Sequence, residues 1–183
     1  QQVCELIESD IPSIHILFED ADGVEVQGHF IHPAPPSPTE EDSSRPRDTE
    51  LIILAKALKN RLRPCIVAGD LNDVAWSRST RLFMRISGLL DPRKGRGFFN
   101  TFHASYFFMR WPLDHLFHSN EFSVKRIERL EKYGSDHFAL LTELVYNPDS
   151  ANQKQLEQID KEEAIDELKM PAASKQQVPM FKE

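Results

Sequence analysis

Apolar and polar positions alternate through the first part of the chain. Residues 3–8 and 13–19 read as short strands, and Asp20, Ala21, Asp22 and Gly23 follow the second. Asp-Gly between two β-rich runs predicts a hairpin. The return strand, residues 24–32, puts Val24, Val26, Gly28, Phe30 and His32 on one face and Glu25, Gln27, His29 and Ile31 on the other. His32 is therefore expected on the apolar side and His29 with the polar set. The stretch HPAPPSPTEEDSSRPR that follows is too rich in proline for a regular element.

The apolar period then changes. Leu51, Ile52, Ala55, Leu58 and Leu62 recur at helical spacing, which predicts a helix from residues 44–46 to Leu62, stopped by Pro64. Residues 65–71 are nearly continuous in apolar side chains and read as a buried strand. Residues 76–86 suit a short basic helix ended by Gly88, and DPRKGRGFFNTF reads as a loop. Three further strands are expected at residues 113–118, 123–130 and 138–146. After Pro148 the chain turns charged, and Leu156, Ile159, Ile165 and Leu168 form only a patchy stripe. This predicts one domain over residues 1–147 and a helical or disordered tail over 148–183.

Composition narrows the class. At 40% hydrophobic and 28% charged residues, a globular, soluble chain is expected. No apolar run reaches the roughly 20 residues needed to cross a bilayer, and no N-terminal signal pattern is present, so no address is read from the sequence. Cys4 and Cys65 suit neither a disulfide framework nor a zinc site, and Cys65 reads as a small core residue. The net charge of −7 argues against a general nucleic-acid coat protein. Yet Arg78, Arg81, Arg85, Arg93, Lys94, Arg96 and Arg110 face a single acid, Asp91, in the middle of the chain. That excess reads either as a solvated helix face with a basic loop or as a field for an anionic ligand.

The polar residues at strand ends carry the candidate chemistry. His32 closes the first long strand, Asp70 and Asn72 close the buried strand, WPLDHLFH supplies Asp114 and His115, and YGSDHF supplies Asp136 and His137. Asp70 and Asn72 share a face if the strand persists to Asn72. Asp136 and His137 are adjacent and diverge, so one can bind a metal while the other faces a substrate. Singly, each is an ordinary turn or structural residue. Together HFIHPAPP, GDLND, NTFH, WPLDHLFHS and GSDH, in this order, resemble the endonuclease/exonuclease/phosphatase family of metal-dependent phosphodiesterases. That family includes pancreatic-type deoxyribonucleases, abasic-site endonucleases and neutral sphingomyelinases. The resemblance covers about residues 13 to 146, and its style is that of bacterial members that often carry membrane segments upstream.

The resemblance implies a fold and roles. The fold is α+β, part of a four-layer α/β/β/α sandwich of the deoxyribonuclease I type, mainly its second half with mostly antiparallel strands. Asp70 would activate water, and Asn72 would orient it or contact the phosphate. Asp136, with Asp70 and Asn72, would help hold a divalent cation. His137 would face the scissile phosphate, Asp114 would hold the tautomer of His137, and His32 would serve as acid to the leaving oxygen. Carboxylate and amide oxygens suit Mg²⁺ or Mn²⁺. The substrate would carry phosphate: nucleic acid, a lipid headgroup or a small phosphodiester.

Two departures qualify this. Pro112 stands where many members have arginine, and the family's upstream metal-binding glutamate has no counterpart among the 31 residues before His32, Glu5 and Glu8 lying too close to the hairpin. The chain therefore reads as the back half of a domain and is expected to be a poor enzyme by itself. A half sandwich would leave an apolar sheet face bare, to be covered by a second copy, a swapped element or the tail. The complete protein is expected to be an Mg²⁺-dependent hydrolase, membrane-attached by resemblance. The alternative is a non-catalytic module that holds an anionic ligand or a protein partner. Phe98, Phe99, Phe102, Tyr106, Phe107 and Phe108 could stack bases or meet a lipid surface, and most are expected to pack beneath their loop.

Overall fold

The computed structural model describes residues 2–4, 12–35 and 45–148. The predicted tail and residues 5–11 and 36–44, with Glu5 and Glu8, lie outside the described residues. Among the described residues nine elements follow one another: β1 (Gln2–Cys4), β2 (Ser13–Glu19), β3 (Glu25–Phe30), α1 (Arg45–Leu58), β4 (Cys65–Asp70), α2 (Arg78–Ser87), β5 (Asp114–His118), β6 (Phe122–Arg129) and β7 (Leu140–Tyr146). The mixed α+β architecture is the expected one. Five strands form a sheet in the order β1-β2-β3-β4-β5, and β6 pairs with β7. Among the described strands only β3 and β4 run parallel, because α1 makes the crossover between them.

Local chemistry sets these elements. Asp20 closes the β2–β3 hairpin, its Oδ1 accepting from the backbone of Asp22 and Val24 at 2.9 Å each. Ser77 caps α2 by accepting from Thr80 N at 2.9 Å, and Gly88 ends it at φ 70°. Helix α1 stops at Leu58 rather than Leu62. Two tight turns, Lys59 N to Lys56 O and Arg61 N to Leu58 O, unwind its end well before Pro64. Leu62 consequently projects into solvent, 78% exposed.

The core lies between the sheet and the two helices, and which sheet face it uses differs from the sequence pattern. Leu51, Ile52, Leu54 and Leu58 of α1 and Leu82, Phe83 and Ile86 of α2 pack onto Ile31, Cys65, Val67 and Phe117. The register aligns His15, His29, Val67 and Phe117 in one row across the sheet. The face expected to be polar is therefore the helix-facing one, and His29 and Gln27 are buried. The cost is moderated by pairing: His15 Nδ1 and His29 Nδ1 share a hydrogen bond of 2.6 Å, and His15 Nε2 meets Ser13 Oγ at 2.8 Å. The opposite face, with Ile14 paired across to Phe30 and Phe18 to Val26, keeps Ile14, Phe18 and Phe30 more than a third exposed.

Candidate active site

Strand β4 ends at the site, and its end is shaped by glycine. Gly69 has φ 154°, and a Cβ there would lie 1.8 Å from the Ile31 carbonyl oxygen. Only glycine lets the two backbones approach this closely. The approach sets His32, one residue beyond Ile31, beside Asp70: His32 Nε2 lies 3.8 Å from Asp70 Oδ2. At the β4–β5 register Asp70 sits directly opposite Asp114. Like charges in cross-strand register repel, so a sheet built for stability alone would avoid this pair.

His137 completes the group. Its Nδ1 lies 2.7 Å from Asp114 Oδ2, and its Nε2 lies 3.7 Å from Asp70 Oδ2. Its loop is clamped by backbone bonds, Phe138 N to Thr101 O and Ala104 N to Asp136 O, each 2.7 Å. The Phe102 ring lies against the imidazole at 4.9 Å between centroids. One donor atom each from Asp70, Asp114 and His137 fall within 4.8 Å of one another. Burial works against a charged His137 imidazole, but the hydrogen bond and charge of Asp114, with Asp70 and Asp136, outweigh it and raise its pKa. Asp70 is also raised, first by burial and further by the Asp114 charge, against the lowering bond from Asn72 N.

The other sequence-expected residues fall as follows. Asn72, at φ 49°, donates its backbone N–H to Asp70 Oδ1 at 2.8 Å and its side-chain amide to Pro33 O at 3.0 Å. It thus ties the Asp70 turn to the His32 segment. Asp136 is exposed and its carboxylate does not join the three clustered donors. Arg93, expected to contribute to a substrate field, is instead buried. It spends its guanidinium on Asp91 at 2.8 Å, on His115 Nδ1 at 2.7 Å and on the Asp114 carbonyl at 3.3 Å.

Three supports escaped the sequence pattern. Asp73 gathers Ser77, Ser79 and Thr80 hydroxyls onto Oδ2 at 2.5, 2.6 and 3.2 Å, anchoring α2 beside the site. Arg47 donates to the Asn72 carbonyl at 2.7 Å, and Thr101 Oγ1 accepts from Asp114 N at 3.1 Å. The run DVAWSRST, an acid followed by three hydroxyls near a helix start, was the available signal for the first. The loop aromatics also depart from expectation: Phe98, Tyr106, Phe107 and Phe108 are exposed rather than packed beneath the loop.

The donor set suits a hard divalent cation. Among the described residues it offers two half-buried carboxylates held in mutual repulsion, and lacks the cysteine and multiple-histidine donors of a zinc site.

A family model described as the endonuclease/exonuclease/phosphatase family matches residues 2–137. No curated protein is a significant match. Among solved structures, the human Nocturnin catalytic domain with bound sulfate anion superposes with a TM-score of 0.63 at 17% identity, over 80% of this chain and 60% of that one. An endonuclease/exonuclease/phosphatase family protein from Bacteroides thetaiotaomicron gives 0.61 at 23%, over 81% and 59%. A mannosyl-6-phosphatase from the same organism gives 0.56 at 22%, over 74% and 57%. The chain spans less than two thirds of the length of each.

Proposed function

Because the chain belongs to the endonuclease/exonuclease/phosphatase family, we propose that it carries the catalytic strand ends of a metal-dependent phosphate-ester hydrolase. The observation that supports this most is the Asp114–His137–Asp70 alignment, an imidazole oriented by one carboxylate and turned toward another. Asp114 accepts from Nδ1–H, so Nε2 bears a proton only in the imidazolium form, which Asp114, Asp70 and Asp136 favour and which turns an Nε2–H donor toward the reaction space. That edge would donate to a phosphate oxygen and stabilise the charge that builds there. Asp70, oriented by Asn72 N, would take the proton of the attacking water. His32, exposed at the rim, would protonate the leaving oxygen.

Asp70 and Asp114 are the carboxylates that would hold Mg²⁺ or Mn²⁺, with Asn72 beside them, while the Asp136 carboxylate stands outside the cluster. When bound, the cation neutralises phosphate charge and polarises the ester. The described cluster supplies only two carboxylates, so the chain alone is expected to turn over poorly and the complete protein well.

The test is hydrolysis by the complete protein of a phosphodiester, a phosphomonoester, an oligonucleotide and a phospholipid, with Mg²⁺ and with EDTA. Mg²⁺-dependent turnover that falls by about 10²-fold or more in both Asp70→Ala and His137→Ala supports the reading. Turnover unchanged by either substitution overturns it.

A further inference from the structure

The loop that leaves the site ends in an apolar tip. Phe102 and Trp111 pair at its base through Thr101 N and Phe102 N, which donate to the Trp111 carbonyl at 3.0 and 2.9 Å. Beyond that neck, His103 N donates to Met109 O at 3.0 Å and Ser105 N to His103 Nδ1 at 3.0 Å. The tip is thus shaped by its own backbone. Yet it turns its largest side chains outward: Tyr106 and Met109 are 51% exposed, Phe108 69% and Phe107 80%. Four consecutive large apolar or aromatic residues in water are not a normal surface.

The rings are continuous with the site. Phe102 packs on His137, His103 on Phe102, Tyr106 on His103 at 4.6 Å, Phe108 on Tyr106 at 6.0 Å and Phe107 on Phe108 at 5.4 Å. The tip itself, residues 105–109, holds no charge. A cation stands at its shoulder, where Lys132 Nζ donates to Ser105 Oγ at 2.7 Å beside exposed Tyr133.

We propose that residues 105–109 dock into the interfacial layer of a lipid bilayer that carries anionic headgroups. Aromatic rings with an apolar body are favoured at that depth, and a shoulder lysine would lie at headgroup level. A nucleic-acid strand fits the tip less well. Its backbone needs a track of several cations, whereas residues 105–109 carry none and Lys132 stands at one shoulder. Phe107 and Phe108 also meet edge to face at 89°, which uses up ring surface that stacked bases would need. Docking would hold the Asp70–Asp114–His137 group close to the headgroup layer. The proposal does not rest on the hydrolase reading, since binding is measured without turnover.

The experiment is co-sedimentation of the chain with vesicles of phosphatidylcholine and phosphatidylglycerol. The expected result is binding by the parent and by Arg85→Glu on α2. A Phe107→Ser/Phe108→Ser variant of unchanged circular dichroism should bind about tenfold or more weakly. A single Phe107→Trp reporter should shift its emission to the blue with vesicles and be quenched by brominated acyl chains. Three results would overturn the proposal: no binding by the parent, equal binding by the double-serine variant, or reversal of the reporter's emission shift by a single-stranded oligonucleotide.

Discussion

The buried histidine pair shows how one residue's protonation can govern the whole chain. Burial pushes His15 down to about 4, and burial with the neighbouring His15 charge pushes His29 to about 3, from the usual 6.5. Both are therefore neutral in the folded chain, one donating and the other accepting across their 2.6 Å bond. The unfolded chain takes up protons as pH drops below 6.5, while the folded one takes them up only near 4 and 3. Stability is thus complete above 6.5 and lost on acidification, by up to about 2 kcal/mol per histidine at pH 5. Glu50 acts in the opposite direction, since burial raises it to about 7 and acidification relieves the cost. A His15→Leu/His29→Leu variant should flatten the acid limb of urea unfolding measured from pH 7 to 5, and Glu50→Gln should steepen it. Alternation alone placed His29 among polar residues, because a period of two separates the faces of a strand without saying which face meets the helices.

Among elements, β4 was the most legible and its terminus the most consequential. A continuous apolar run bounded by Pro64 and Asn72 marks a central buried strand, and the structure places Cys65–Asp70 between β3 and β5. The α2 caps were legible for the same reason, being local. What the pattern could not supply was contact between distant segments: the Asp70–Asp114 register, the Arg47–Asn72 bond and the Gly69–Ile31 approach each join residues brought together only by folding. Gly69 gives the element-scale prediction. Gly69→Ala sets a methyl against the Ile31 carbonyl oxygen and holds a φ that alanine disfavours. It should cost roughly 2–4 kcal/mol in urea unfolding. Because the same contact seats His32 beside Asp70, the imidazole signal of His32 should shift in proton NMR as well. A small replacement such as Ala68→Ser, on the sheet face away from the helices, should leave that signal in place.

At the scale of the molecule, the helices cover one face of the sheet, and the other is only partly covered, with Val26 buried and its neighbours not. The helices cover the row of His15, His29, Val67 and Phe117, whereas Ile14, Phe18 and Phe30 stand 37%, 38% and 41% exposed on the other side. In a two-sheet sandwich this is the face that meets the second sheet. Among the described residues the second sheet amounts to β6 and β7, whose Leu141 and Val145 are also 40% and 47% exposed. Burying each such side chain is worth about 1.5–3 kcal/mol relative to leaving it in water, and a self-complementary dimer reaches stability at about 800 Å² per partner. The chain alone is therefore expected to self-associate through this face in a symmetric pair. Light scattering should report twice the chain mass, and Phe18→Asp/Phe30→Asp should return the monomer without loss of helix in circular dichroism. The aromatic tip lies on a different segment, so Phe107→Ser/Phe108→Ser should leave the dimer intact. A monomeric parent would mean that the bare face is tolerated or covered within one copy, and an assembly lost with the tip residues instead would move the contact from the sheet to the loop.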